Sequence, residues 1–121
     1  MITGMHALIY AERAEAAREF FRDVLGMSHV DTGDGWLIFK LPPAELGVHP
    51  TGERGLGSGQ HELYLTCDDV EATVADLKGK GVEVGSDILD TEWGLLTTVK
   101  IPGAGNLGLY QPKHATAMDL P

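Results

Sequence analysis

Hydrophobic and polar positions along this 121-residue chain follow one plan written twice. A strand-like apolar pattern opens on a polar residue, runs into an amphipathic helical pattern, meets glycine, and then breaks into further strand-like runs. In the first copy His6-Ala7-Leu8-Ile9-Tyr10-Ala11-Glu12 leads into AEAAREFFRDVLG, and in the second Glu62-Leu63-Tyr64-Leu65-Thr66-Cys67-Asp68 leads into VEATVADLKGKG. The copies also close alike, ELGVHP at 45–50 answering NLGLYQ at 106–111. A period near half the chain is too long for a solenoid, and it predicts two tandem βαβββ units.

Element by element, the pattern predicts a strand at 5–11 and a helix over 14–25, with Ala14, Ala17, Phe21, Val24 and Leu25 on one face and Gly26 as its stop. Strands follow at 28–32, 35–41 and 44–49, the first two parted by the turn former TGDG. Residues 51–59, rich in Gly and without periodicity, form the linker between a first unit at 1–50 and a second at 60–113, within one domain over 1–121. The second unit predicts a strand at 61–67 and a helix capped by Asp69, with Val70, Val74 and Leu77 on its buried face. Strands at 82–86, 94–101 and 106–111 complete it, and the tail from Pro112 is expected to be irregular.

Alternation within the strands sorts residues by face, because successive side chains point to opposite sides of a sheet. Leu63, Leu65 and Cys67 form an apolar set for packing under a helix, as do Leu46 with Val48 and Leu107 with Leu109. The opposite face then carries His6, Tyr10, Glu45, His49, Glu62, Tyr64, Asn106 and Tyr110. By the same parity His61 belongs to the helix side or the strand edge. The fold class expected is α+β, the two units joining in a curved mixed sheet that forms a cup.

Composition narrows the function. Nine basic against 18 acidic residues give a net charge of −9, which repels phosphate backbones and argues against nucleic acid. A neutral or cationic small molecule fits better. Cys67 is the single cysteine, so no intrachain disulfide forms, and with no apolar run of membrane-spanning length and no signal-peptide pattern at MITGMHALIY a cytoplasmic location is expected. A domain of this size that must close two half-sites around a ligand is expected to be a homodimer. No lysine-bearing phosphate loop and no nucleophile elbow is present.

His6, the AREFFRDVLGM helix and its end, the CDDVEATVADLKGKGVEV segment and the closing IPGAGNLGLYQP together resemble the vicinal oxygen chelate superfamily, the group of glyoxalases, bleomycin resistance proteins and extradiol dioxygenases. The resemblance covers nearly the whole chain and implies paired βαβββ units around a metal or drug site. His6, His49 and Glu62 share a face and form a two-histidine, one-carboxylate set suited to a divalent metal such as Fe, Mn, Zn or Ni. Glu45 and Tyr110 are then candidate catalytic groups for orienting substrate or moving a proton. Tyr10, Trp36, Tyr64, Trp93 and Asn106 are the candidate substrate-binding residues, Trp36 and Trp93 lying at matching places in the two copies. Members with a full metal site usually carry a carboxylate on each closing strand, where this chain has Gly47 and Gly108, and Glu62 stands where histidine is usual. Two functions are therefore expected in this order: a metal-dependent lyase, isomerase or dioxygenase acting on vicinal oxygens, and a non-catalytic protein that sequesters an antibiotic.

Overall fold

The structure, a computed structural model, describes Ala7, Ile9, residues 11–45, Gly47, residues 57–58 and residues 60–118. The expected mixed α+β architecture is the one observed. Helix α1 (Ala14–Glu19) continues as a π-helical turn over Phe20–Val24 and leads to a hairpin of β1 (His29–Asp31) and β2 (Leu37–Phe39). Then come β3 (Tyr64–Thr66), α2 (Val70–Gly79), β4 (Leu89–Asp90), β5 (Gly94–Lys100) and β6 (Asn106–Pro112). These last four strands form one sheet in the order β3-β6-β5-β4, with β3 parallel to β6 and the other pairs antiparallel. Among the described residues no helix is long and apolar enough to cross a membrane.

Burial follows the predicted parity where the strands are regular. Leu107 and Leu109 of β6 and Val99 of β5 pack with Val70, Val74 and Leu77 of α2 in the core, which Ala17 of α1 and Phe20 of the π-helical turn complete. Leu63, Leu65 and Cys67 lie partly buried against it. Helix α2 begins as its sequence prescribes: the Asp69 carboxylate accepts from the Ala72 N–H at 3.0 Å, and the Val70 N–H donates to Gln111 Oε1 at 2.9 Å, tying the helix start to β6.

Three departures have local causes. The first helix buries Phe20, which the plain α-helical spacing left off its buried face. Bonds from Leu25 N–H to Phe20 O and from Met27 N–H to Phe21 O widen the turn, so that Phe20 enters the core and Phe21 packs on Phe39. The expected strand at 82–86 is reduced to a single bridge between Val84 and Val99, flanked by bonds from Gly85 N–H to Thr98 O and from Lys100 N–H to Glu83 O, after which the buried Thr97 hydroxyl donates to Ser86 O at 2.7 Å. The hairpin strands are shorter than expected, ended by the turn at Asp31–Gly35 with Asp34 at φ 53° and by Pro42. The expected strands at 5–11 and 44–49 and the linker at 51–59 fall largely outside the described residues.

Core and cap make unequal demands. Leu107→Ala should lower unfolding free energy by about 2–5 kcal/mol and Asp69→Ala by about 1 kcal/mol, both read from urea denaturation midpoints.

Candidate functional site

The side of the sheet facing away from α2 is where the chemistry gathers. Register places Tyr64 opposite Gly108 and Thr66 opposite Tyr110 across β3 and β6, and Leu96 opposite Tyr110 and Thr98 opposite Gly108 across β5 and β6. Two glycines let aromatic rings lie on this surface. A Cβ at Gly108 would stand 2.2 Å from Tyr64 Cδ1, so the Tyr64 ring occupies the space a side chain there would need. A Cβ at Gly94 would meet Tyr110 Cζ at 2.9 Å.

Tyr110 organises the cluster. Trp93 stacks on it with centroids 5.5 Å apart and planes 26° from parallel. Tyr64 meets it at 6.2 Å and 79°, and His114 at 5.7 Å and 62°, both edge-to-face geometries that aromatic quadrupoles favour. The Tyr110 hydroxyl donates to Trp93 O at 2.8 Å, which fixes the stack and commits the phenolic proton to a backbone carbonyl. Burial pushes the phenol above its ordinary pKa, and the negative charge of Glu45 adds to the shift. Glu45 itself accepts from the Ala117 N–H at 2.7 Å.

Beside the rings lies a cavity of about 360 Å³, whose polar lining is His61, Glu62, Tyr64, Thr98 and Asn106 over a floor at Gly108. The structure therefore brings together Glu62, Tyr64 and Asn106 in one cavity, joins Tyr64 to Trp93 and Tyr110 through ring contacts, and sets Glu45 within electrostatic reach of Tyr110. Trp36 is elsewhere engaged, with the Arg18 guanidinium 4.5 Å from its ring centroid, and makes none of the cluster's contacts. His6, Tyr10 and His49 lie outside the described residues.

His61, which parity assigns to the helix side or the strand edge, precedes the regular part of β3 and lines the cavity together with Glu62 and Leu63. His114 was missed because it lies in the tail, where no periodicity signals contact. Cys67 is no candidate nucleophile: burial raises its thiol pKa, only partly opposed by a hydrogen bond with Thr73.

A family model for the Glyoxalase/Bleomycin resistance protein/Dioxygenase superfamily matches residues 5–110. The chain belongs to this superfamily. Among solved structures it resembles TnmS3, an antibiotic binding protein from Streptomyces sp. CB03234, at 24% identity over 93% of this chain and 100% of that one, with a TM-score of 0.63. It also resembles a lactoylglutathione lyase from Agrobacterium tumefaciens, at 17% identity, 90% and 96% coverage and a TM-score of 0.60. A glyoxalase/bleomycin resistance protein from Streptomyces sp. CB03234 matches at 25% identity, 85% and 95% coverage and a TM-score of 0.58. No curated protein matches the chain significantly.

Superfamily membership raises the question of a divalent metal, and the donors can be tested against it. No group of three His, Cys, Asp or Glu side chains among the described residues is arranged to hold an ion. The closing-strand position Gly108 lies under the Tyr64 ring, and one oxygen of the Glu45 carboxylate accepts from the Ala117 N–H. Glu62 is the carboxylate lining the cavity. The described residues do not make up a metal centre.

Gly108→Ala should force the Tyr64 ring aside, changing the near-ultraviolet circular dichroism while the far-ultraviolet spectrum holds, at a cost of about 1–3 kcal/mol. Because the folded state raises the Tyr110 pKa, that contribution to stability is complete below the ordinary tyrosine pKa and is lost as pH rises through the folded value. Melting temperature should therefore fall more steeply on the alkaline side in the native protein than in Tyr110→Phe.

Proposed function

We propose that this protein binds a flat, largely aromatic small molecule on the face built by Tyr64, Trp93 and Tyr110, and that it acts by holding the compound. One observation carries this reading: Trp93 stacked on Tyr110 beside Gly108, where the missing side chain lets Tyr64 complete an aromatic surface at the edge of a cavity. Aromatic walls with a few polar groups are the usual makings of a small-molecule site, and Glu62, Thr98 and Asn106 are the polar groups at hand. The net charge of −9 favours a neutral or cationic compound. Antibiotic binding and lactoylglutathione lyase are both hosted by structural relatives, so the fold leaves the choice open, and the aromatic chemistry of the site supports the binding reading.

The metal-dependent enzyme reading rests on Glu62 in the cavity joined by imidazoles from His6 and His49. Elemental analysis of tag-free protein separates the two. Binding without metal predicts no stoichiometric divalent ion and a melting temperature indifferent to chelator; about one ion per chain, with stability lost on chelation, would reverse the order.

Titration calorimetry with planar polycyclic dyes, proflavine among them, tests the binding site itself. Saturable binding should weaken at least about tenfold in Trp93→Ala and Tyr110→Ala and stay unchanged in Trp36→Phe. Equal loss in all three, or none, would contradict the assignment.

A further inference from the structure

After β6 the chain does not leave the sheet. Lys113 is held at the β4 edge, where its backbone N–H donates to Trp93 O at 2.9 Å, its Nζ donates to Thr91 O at 2.9 Å, and the same ammonium pairs with Asp90. Met118 lies at the opposite edge, its sulfur accepting from Thr66 Oγ1 of β3 at 3.9 Å. Thr66 pairs with Tyr110 across β3 and β6, so a segment held at Lys113, just beyond β6, and reaching Thr66 turns back over this end of the sheet. It does so at Tyr110, against which the His114 ring stands.

The two ends are held unequally. Lys113 has three bonds; beyond it, among the described residues, the segment is held by the His114 ring against Tyr110, one charge-assisted bond from Ala117 N–H to Glu45 at 2.7 Å and the weak contact at Met118. Residues 113–117 are exposed, so water can take over the Ala117 N–H when that bond opens.

We propose that Lys113–Met118 is a strap over the binding face, hinged at Lys113 and latched by Glu45 to Ala117, and that a flat ligand reaches Tyr110 and Tyr64 by releasing the latch. This rests on the proposed binding function. The latch makes the competent state a minor one, so apparent affinity and association rate scale with the open fraction. Glu45 thus sets access to the face through the strap.

Two variants break the latch from opposite sides: Glu45→Ala removes the acceptor, and Ala117→Pro removes the donor while leaving the carboxylate in place. In a Trp36→Phe background Trp93 is the sole tryptophan and reports on the face. Without any ligand, both variants should speed hydrogen exchange across 114–118 and raise acrylamide quenching of Trp93, and the double variant should add nothing further. With proflavine, stopped-flow association should quicken by about ten- to hundredfold in each, the range expected for loss of one hydrogen bond to a charged group. Unchanged exchange and quenching would overturn the latch whatever the dye does. An open strap with unaltered dye association would overturn the gate, and so would acceleration in Glu45→Ala alone, which would place Glu45 in contact with the ligand instead. Failure of every variant and the parent to bind any planar dye would remove the binding function and the gate with it, while the exchange data would still report the strap.

Discussion

Everything in the described structure turns on β6 being a central strand with a strict two-residue alternation. It pairs in parallel with β3 and antiparallel with β5, so both its edges are committed and its register is set from two sides. Leu107 and Leu109 then point under α2 with almost no exposure, and Asn106, Gly108 and Tyr110 point the other way. A slip of one residue would exchange the two sets, burying Tyr110 and Asn106 in the core and exposing the leucines. The same packing that makes the domain stable therefore holds the chemistry on the open face.

On that face the absence of side chains matters as much as their presence. Gly108 and Gly94 leave room for the Tyr64 and Tyr110 rings, and Trp93 closes the stack through a hydrogen bond and a ring contact to the same tyrosine. A superfamily fold that elsewhere accommodates a carboxylate on its closing strand here presents an aromatic surface. Tyr110 links the parts: it is held by Trp93, sensed by Glu45 and crossed by the segment that carries His114.

Much of this was legible in the sequence because burial enforces periodicity. The α2 face of Val70, Val74 and Leu77, the cap at Asp69 and the opposed faces of β6 could all be read from spacing, which also put Tyr64 and Tyr110 on one face, while Trp93 was singled out by repeat position. What escaped depended on bonds that spacing does not encode. The π-helical turn that carries Phe20 inward and the bond from the Thr97 hydroxyl to Ser86 O are local hydrogen-bonding outcomes, and His61 lies ahead of the regular part of β3. Trp36 matched Trp93 by repeat position, yet a guanidinium on α1 claims it. The tail is irregular, as its lack of apolar periodicity implies, and it is held by a lysine and a single carboxylate that no spacing signals.

The central proposal is that the aromatic face of Tyr64, Trp93 and Tyr110 receives a flat ligand. Two-dimensional NMR of the two tryptophan indole N–H signals during titration with a planar polycyclic dye tests it most directly. The account predicts a saturable shift of the Trp93 signal with Trp36 unmoved; a Trp36 shift, or a Trp93 signal that does not respond at saturating dye, would contradict it.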